Sequence, residues 1–454
     1  MSMSRKFQTV DYEEMLNQSV SLREVLPAQH LARFIVNAIA QFDLAKFYKR
    51  YGERGGEAIA PEILLGLLLY GYASGVFSSR KIERATYESI PFRYVAGGLH
   101  PDHDTIANFR KTFLGEIKDL FVQVLVLAQI HGVLKLGNVS LDGTKIHADA
   151  SKHQAVSYKR AVELETQLRK EVEELLALSE QADQHQASPD LNVATEITFR
   201  QERIANLAEA KKVMEARAAE RYKVEQAEYE AKQREREEKA KKSGKKPRGK
   251  EPTAPTQEPH DSDQYNFTDP ESRIMKNSND AGFDQHYNAQ VAVDQASLLI
   301  VAHTLSNHPN DQAEAVPTLE AIPPELGKPK TAALDCGYFN PVTLAWMCAN
   351  NIDPLIATGR EIHHHNWREY FALQPAPPPD DASLRVKMAY KLRTDIGRAI
   401  YGLRKSTVEP VIGIIKEVLG FRQFSLRGIA VAAGEWALVC IAFNFKRLNI
   451  LLGN

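Results

Sequence analysis

The sequence predicts a mixed α/β protein: an all-α N-terminal domain precedes a mixed sheet flanked by helices, and a long helical insertion divides that sheet. Three observations indicate this class. Residues 1–135 show only helical periodicity, short strand-like segments alternate with helices after residue 136, and a segment rich in Ala, Glu, Lys and Arg separates the first strand from the others. We therefore expect three domains, at 1–135, at 136–154 joined with 262–454, and at 155–261.

The composition is that of an ordinary globular protein. With 454 residues, 43% of them hydrophobic, the chain can form two or three units with buried cores. We find neither an apolar run near the roughly 18 residues that span a membrane nor a signal-peptide pattern, so we expect no membrane partner. Cys336, Cys348 and Cys440 have no zinc or disulfide spacing, which is typical of a reducing cytoplasm.

The N-terminal domain contains a candidate DNA-reading unit. Residues 61–90 carry apolar side chains at helical spacing, and residues 97–101 form a Gly- and Pro-containing turn. We expect Asp104 to cap the next helix, which would expose Arg110 and Lys111 for contact with DNA. A small helical bundle with an exposed polar face explains the same pattern equally well.

The first strand precedes the insertion. The segment NVSLDGTKIHAD at 138–149 alternates apolar and polar residues and predicts a strand that ends at Asp142 and Gly143. The charged residues that follow predict a long helical hairpin or coiled coil, broken near Ser188. The insertion ends in a basic linker, KAKKSGKKPRGK at 239–250, which either contacts DNA phosphate or is simply solvated.

The remaining elements alternate between strands and helices. HYNAQVAVD and LLIVAHTLSN predict a β-hairpin, and a short helix interrupted by Pro317 leads to the apolar strand TAALDCG, which ends in Asp335. A helix, the fifth strand IDPLIATG and a Pro-rich loop follow. TVEPVIGIIKEVLG predicts a helix that begins at Glu409, because Pro410 belongs in a first turn. The last helix is apolar enough to pack on the core.

Three acidic residues lie at related places in this order. Asp142 and Asp335 end strands and Glu409 begins a helix; each alone also fits a turn or a helix cap. Together they suit phosphodiester cleavage, because two Mg²⁺ ions about 3.5–4 Å apart activate the nucleophile and stabilise the leaving oxygen, and such ions prefer carboxylates. Residues 382–427 contain ten Lys and Arg against three acids, a net charge of +7, whereas the whole chain has −1. This asymmetry favours a nucleic-acid partner.

The motifs resemble one family. The segments SLDGTKIHADAS, HYNAQVAVD, ALDCGYFNP and RKSTVEPVIGIIKEVLGFRQFSLRG are similar to DDE transposases of bacterial insertion sequences, and the N-terminal helices are similar to the domain that precedes the catalytic core in that group. The resemblance covers nearly the whole chain except the insertion. It implies a ribonuclease H-like core that uses Mg²⁺, with Mn²⁺ as an alternative, to cleave terminal inverted repeats and join them to target DNA. It also implies a homodimer that works at the nucleoid in the bacterial cytoplasm.

The resemblance also assigns roles to residues. By position, Asp142, Asp335 and Glu409 correspond to the family's three catalytic, metal-binding acids. We expect Asp142 to bridge two ions and each of the other two acids to complete one coordination sphere.

The basic motif around the third acid departs from the family pattern, which is Tyr, two residues, Arg, three residues, Glu, six residues, Lys. Lys416 fits the final position, but Gly402 and Lys405 occupy the Tyr and Arg positions, and Tyr401 and Arg404 lie one place early. We expect Lys405 and Lys416 to hold the DNA backbone, with Tyr401 and Arg404 as further candidates for phosphate contact.

Other interpretations compete with this one. The chain is either an active transposase, a DNA-binding protein of the same descent with inactive chemistry, or a coiled-coil scaffold whose function lies in residues 155–250. Among smaller features, His147 and Asp149 are either outer neighbours of a metal or structural residues, and the histidines at 363–365 are either a metal tract or a solvated loop.

Overall fold

The computed structural model of the chain describes residues 21–52, 57–185, 193–243, 251–277, 282–359 and 376–453. They form two compact units, of which the first comprises Met1–Ile146 with Tyr287–Asn454 and the second comprises His147–His286. The break near Ser188, the linker after residue 243 and the histidines at 363–365 lie outside the described residues.

The predicted strands and helices occur in the predicted order, and the structure adds three short strands that the sequence did not predict, one before and two after the helices of the insertion. The helices are α1 (Leu22–Val25), α2 (Leu31–Ile39), α3 (Ala45–Tyr48), α4 (Pro61–Ala73), α5 (Ser79–Glu88), α6 (Ile90–Val95), α7 (His103–Thr112), α8 (Leu114–Ile130), α9 (Tyr158–His185), α10 (Val193–Ser243), α11 (Ala315–Glu320), α12 (Pro341–Ala349), α13 (Leu384–Arg393), α14 (Asp395–Gly402), α15 (Arg404–Gly413) and α16 (Ile429–Leu451). The strands are β1 (Asn138–His147), β2 (Ala155–Ser157), β3 (Gln264–Asn266), β4 (Arg273–Lys276), β5 (Phe283–Asp294), β6 (Ile300–Ser306), β7 (Thr331–Leu334) and β8 (Asp353–Ile356).

The sheet of the first unit has the strand order β6–β5–β1–β7–β8. Strands β5 and β6 form the predicted antiparallel hairpin, whereas β7 runs parallel to both β1 and β8. Pro317 lies in the first turn of α11 and does not interrupt it, contrary to the prediction, because a first-turn N–H has no acceptor within the helix. The sheet is thus mixed, as expected.

Helix α16 is the central helix of the first unit. It packs against α4, α8 and β6, which confirms that the last helix joins the core. Among the described helices it alone is long and apolar enough to cross a membrane, but 72% of its apolar window is buried inside the protein. Its buried polar side chains have partners: Asn444 Oδ1, for example, accepts the Ile300 N–H at 2.9 Å. This burial identifies α16 as a core helix.

Helix α7 corrects two predictions. Its N-cap is Asp102, whose Oδ1 accepts the Thr105 N–H at 2.8 Å, whereas Asp104 lies within the first turn. Arg110 is buried, with 7% of its surface exposed, so the prediction that α7 exposes it is wrong. Lys111 is exposed, and its contact with DNA stays a prediction.

The burial of Arg110 has a physical reason. Its Nη1 donates to the Tyr72 hydroxyl at 2.8 Å and to the Phe77 carbonyl at 3.2 Å, and it lies 3.9 Å from the fully buried Glu435 of α16. A buried carboxylate requires a compensating charge, and Arg110 supplies it. The guanidinium therefore joins the N-terminal helices to α16.

The second unit consists mainly of the predicted helical hairpin. Helices α9 and α10 pack along each other, and the antiparallel strands β2 and β3 close its base, with Ala155 opposite Asn266. Ion pairs such as Lys211–Glu165, at 2.9 Å, connect the two helices. A small core, formed mostly by the two helices themselves, comprises Val156, Ala161, Leu168, Leu207, Ala210 and Met214.

Candidate functional site

The first two acids lie on neighbouring parallel strands. β1 and β7 pair in register up to Leu141 and Leu334, and Asp142 and Asp335 are the next residues of each. Asp335 directly follows β7, as predicted. Asp142, however, lies in the middle of β1, which continues to His147, so the predicted strand end at Gly143 is wrong.

Gly143 lies within the strand because two side chains pack closely against its backbone, and not because the chain turns there. A Cβ atom at this position would lie 2.2 Å from Gln290 Nε2 and 2.7 Å from Asp311 Oδ1. Glycine in a strand often marks such an approach. Asp142 and Gly143, which look like a turn in the sequence, are therefore strand residues. The absence of a side chain at Gly143 leaves space that Gln290 and Asp311 occupy.

Asp311 is an acid of this site that the sequence analysis missed. Its Oδ1 accepts hydrogen bonds from Asn288 Nδ2 at 2.8 Å and from Gln290 Nε2 at 2.7 Å, and Gln290 Oε1 in turn accepts the Tyr338 hydroxyl. Both amide side chains are buried. Polar residues on the otherwise apolar strand HYNAQVAVD were the available signal, since buried amides require partners.

Helix α15 carries Glu409 to the guanidinium of Arg404, which also pairs with Asp142. The hydroxyl of Thr407 donates to Ser140 Oγ of β1 at 2.8 Å, and this buried contact attaches the helix to the sheet. Glu409 is the sixth residue of α15, so the prediction that it begins the helix is wrong. Pro410 is accommodated inside the helix, and a π-helical turn, Ile414–Val418, follows directly. Such turns often occur at functional sites.

Arg404 lies between two of the acids. Its Nη1 is 2.9 Å from Asp142 Oδ2, and its Nη2 is 3.2 Å from Glu409 Oε1. The side chain is 9% exposed, so this paired guanidinium faces the acids and not the solvent. Burial opposes its charge, but the neighbouring acidic groups raise the pKa of Arg404 nonetheless.

The acids also influence one another. Burial raises the pKa of Asp142 to about 6, and the negative charges of Asp335 and Asp311 act in the same direction. The positive charge of Arg404 acts against this rise. The site therefore concentrates negative charge in a poorly solvated place, where a cation binds favourably.

The other residues of the basic motif that are predicted to contact DNA lie on α14, on α15 and in the π-helical turn. Lys416 lies in the π-helical turn, and its Nζ is 3.2 Å from Thr144 Oγ1 of β1; burial lowers the pKa of Lys416. Lys405 is exposed on α15. Tyr401, at the end of α14, is close enough to Arg404 to contribute to its raised pKa. None of these placements tests DNA contact, which stays a prediction.

The chemistry of the donor set fits a hard divalent cation. Carboxylate oxygens are the ligands that Mg²⁺ prefers, and the guanidinium of Arg404 already occupies a place where positive charge is favourable. Within the described ranges, however, no three His, Cys, Asp or Glu side chains are arranged closely enough to hold a metal ion. A divalent ion shared by Asp142 and Glu409 therefore requires Arg404 to release at least one of them.

Comparison with families of known proteins gives two matches. Residues 20–112 match a family described as Transposase domain (DUF772), and residues 379–449 match one described as Transposase DDE domain. No curated protein and no solved structure matches the chain. The second match includes Arg404, Glu409 and Lys416, whereas Asp142 and Asp335 lie outside both.

The mixed sheet and its flanking helices agree with the expected ribonuclease H-like fold, and the second family match supports a DDE domain. The two matches together confirm the resemblance of this chain to the DDE transposases of insertion sequences. The chain thus matches transposase families in both sequence segments of its first unit, and these matches support a transposase function that acts on DNA.

Proposed function

We propose that this chain cleaves DNA at the terminal inverted repeats of an insertion sequence and joins the freed ends to target DNA, with Mg²⁺ or Mn²⁺ bound by Asp142, Asp335 and Glu409. The observation that supports the proposal is the position of Arg404, which pairs with Asp142 of β1 and Glu409 of α15 and whose pKa is also raised by the charge of Asp335, after β7. Residues 193 and 74 positions apart in the chain have no local reason to converge. A reaction that depends on bound cations is a reason for acidic residues to converge.

Each acid has a defined part in this proposal. When bound, divalent ions activate an oxygen nucleophile and stabilise the leaving oxygen of a phosphodiester. Asp142 and Asp335 each follow the last paired residue of two neighbouring strands, and Arg404 joins Asp142 to Glu409, so Asp142 would help to hold a cation with either of the other acids. Once displaced, Arg404 is available to pair with a phosphate oxygen, to which its planar fork is well suited.

Basic side chains would hold the DNA backbone around the acids. Lys416 is fixed beside β1 by Thr144, and Lys405 is exposed one residue beyond Arg404. Lys111 of α7 is a further candidate, whereas the buried Arg110 is not. Phosphate contacts of this kind weaken as salt concentration rises. We further propose that two copies act together on two DNA ends, in the bacterial cytoplasm at the nucleoid.

The test is Asp142→Asn, which preserves shape and removes the negative charge. We expect Mg²⁺-dependent nicking of a duplex that carries the element's terminal repeats to fall at least about 10³-fold, which corresponds to the several kcal/mol that a bound metal supplies. Binding of the same duplex, measured in a gel-shift assay, should remain.

A matched control makes the same chemical change elsewhere. Asp119→Asn alters an exposed aspartate of α8 and should nick DNA like the original protein. Equal nicking by Asp142→Asn would refute the acid mechanism and would favour a function in residues 155–250. Binding without any nicking by the unaltered chain would identify the inactive relative.

A further inference from the structure

We propose that a cavity at the base of the helical hairpin binds one unpaired nucleotide of a DNA strand. The inference adds a nucleic-acid contact to the second unit, and it rests on the proposed function because DNA is the substrate there. The cavity has a volume of about 640 Å³ and is lined by α9, α10, β2 and the segments next to β2 and β3, all within the second unit. Cavities that hold small ligands measure about 300–1,000 Å³, so this one has room for a nucleotide.

The two helices contribute to the cavity in the same way. Helix α9 supplies Arg160 and, four residues later, Leu164, and α10 supplies Arg203 and, four residues later, Leu207. Residues four apart lie on the same face of a helix, so each face carries a cation next to an apolar side chain. Leu207 is buried, whereas both arginines are exposed. The cavity therefore combines an apolar surface with positive charge at its opening.

An exposed aromatic ring completes the lining. Phe267 follows β3 and is 41% exposed, although its backbone is fixed, since its N–H donates to the Gln154 carbonyl at 3.0 Å. Its ring also contacts that of Tyr265, with the two ring centres 5.4 Å apart. Phe267 is thus held beside the cavity and keeps accessible surface on which a base can stack. Such stacking is possible with any base, because every base has a π face.

The charges of the lining favour an anionic ligand. Among the described residues that line the cavity, the ionisable side chains are those of His153, Arg160 and Arg203, and none is acidic. Within the described part of the chain, Arg203 forms no ion pair and Arg160 pairs with the exposed Glu163 at 3.3 Å. Exposed ion pairs contribute little to stability, so a phosphate group can replace this contact readily. Arginine binds phosphate well because its planar group donates two parallel hydrogen bonds.

These features together indicate the chemistry of the ligand. The phenylalanine ring and the leucines suit a planar base, and the two arginines suit the phosphate attached to it. A base inside a duplex is paired and stacked, so only an unpaired base can present its face to a ring in a cavity. Positive charge beside an aromatic ring is typical of sites that bind single-stranded nucleic acid. A free nucleotide has the same chemistry, and the experiment distinguishes it from a DNA strand.

The experiment uses the full chain in the absence of divalent cations, which keeps the DNA strand intact. A short single-stranded oligonucleotide that carries one 5-iodouracil is irradiated with the protein, and the cross-linked peptide is identified by mass spectrometry. We expect the cross-link at Phe267. A blunt duplex of the same sequence should not cross-link there, because its bases are paired and stacked.

The affinity for the labelled single strand, measured by fluorescence anisotropy, is the second readout. Phe267→Ala should weaken binding at least about fivefold, the lower end of the effect of removing an aromatic side chain that stacks on a base, and Phe267→Trp should retain binding. Arg203→Gln should reduce the dependence of the affinity on salt concentration, because one phosphate contact is lost. Phe199→Ala and Arg234→Gln are the matched controls, since both residues are exposed on α10 and lie outside the cavity lining. Every variant should keep the original Tm.

Three outcomes would overturn the inference. Two are the absence of a cross-link at Phe267 and equal affinities of Phe267→Ala and Phe199→Ala. The third is equal affinity for deoxyadenosine monophosphate and for the oligonucleotide, which would assign the cavity to a free nucleotide. Asp142→Asn is cross-linked in parallel, so that the two proposals fail separately. A missing cross-link together with the expected loss of nicking in Asp142→Asn refutes only the nucleotide site, whereas a normal cross-link together with nicking by Asp142→Asn refutes only the acid mechanism.

Discussion

At the scale of single residues, Arg404 shows how the site holds together without a metal. It pairs with the mostly buried Asp142 and with Glu409, whose side chain is 47% exposed. Removing one member of a buried ion pair typically costs about 3–5 kcal/mol, whereas an exposed pair contributes about 1 kcal/mol or less, so the loss of the Asp142 partner dominates. We expect Arg404→Gln to lower the Tm of the metal-free protein by several degrees. Added Mg²⁺ should raise the Tm of this variant more than that of the original protein, because the competing guanidinium is gone.

Thermal unfolding with and without Mg²⁺ measures both effects. Arg398→Gln is the matched control, since Arg398 is an exposed arginine of the neighbouring helix α14. It should change neither the metal-free Tm nor the response to Mg²⁺. A variant at Arg404 that melts like the original protein in both conditions would show that the pair contributes nothing to the metal-free site.

Asp142 makes the site sensitive to pH. Its pKa in the folded protein, about 6, exceeds the ordinary value of 3.8, so the folded state binds the proton more tightly than the unfolded state does. The ionised form therefore destabilises the metal-free fold, and stability due to this group falls as the pH rises from about 4 to 6. Cation binding needs the ionised form, so its affinity should change in the opposite direction.

We expect Mg²⁺ affinity to be nearly constant above pH 7 and to fall by about tenfold per pH unit well below pH 6, as for the displacement of one proton. Calorimetric titrations between pH 5 and pH 8 measure this dependence. The Asp142→Asn variant should lose the inflection near pH 6. An inflection that persists in the variant would assign the titration to another group.

At the scale of elements, the sequence predicted most of the site because its signals are local. Alternating apolar residues identified β1, β5 and β6, a compact apolar run identified β7, and Asp335 directly follows that strand. The predictions failed where the local structure of a residue depends on contacts with side chains distant in the sequence. Gly143 looks like a turn but makes room for Gln290, and Pro410 looks like a helix start although Thr407 and the π-helical turn support a helix around it.

The same reason explains the residues that were misjudged or missed. Arg110 has the sequence environment of an exposed helix face, but Glu435, 325 residues later, requires its charge. Asp311 is unremarkable in its loop and becomes significant only beside Gly143 and Gly337. Periodicity describes which face of an element is apolar, and it contains no information about pairs of polar residues that tertiary packing brings together.

At the scale of the whole molecule, the acids of the candidate site and the two longest helices belong to different compact units. All three motif acids and Asp311 belong to the first unit, whereas α9 and α10 belong to the second. At the base of the hairpin, the Tyr158 N–H donates to the Asp263 carbonyl at 2.8 Å, and β2 pairs with β3. The chain therefore leaves and returns at one place, as in an insertion that an existing fold tolerates.

This arrangement predicts that the hairpin can be removed without loss of the acid site. We expect a chain in which a short Gly/Ser linker replaces residues 159–262 to unfold cooperatively and to bind Mg²⁺ within about threefold of the original affinity, because closing a short loop between adjacent ends has a small entropic cost. Calorimetry and thermal unfolding are the measurements, and the same deletion combined with Asp142→Asn is the control that should not bind Mg²⁺ normally.

A shortened chain that no longer unfolds cooperatively would mean that the first unit depends on the hairpin for its stability. If it folds and binds Mg²⁺ but no longer retains DNA in a gel-shift assay, the hairpin contributes to holding DNA, and the cation site is independent of it.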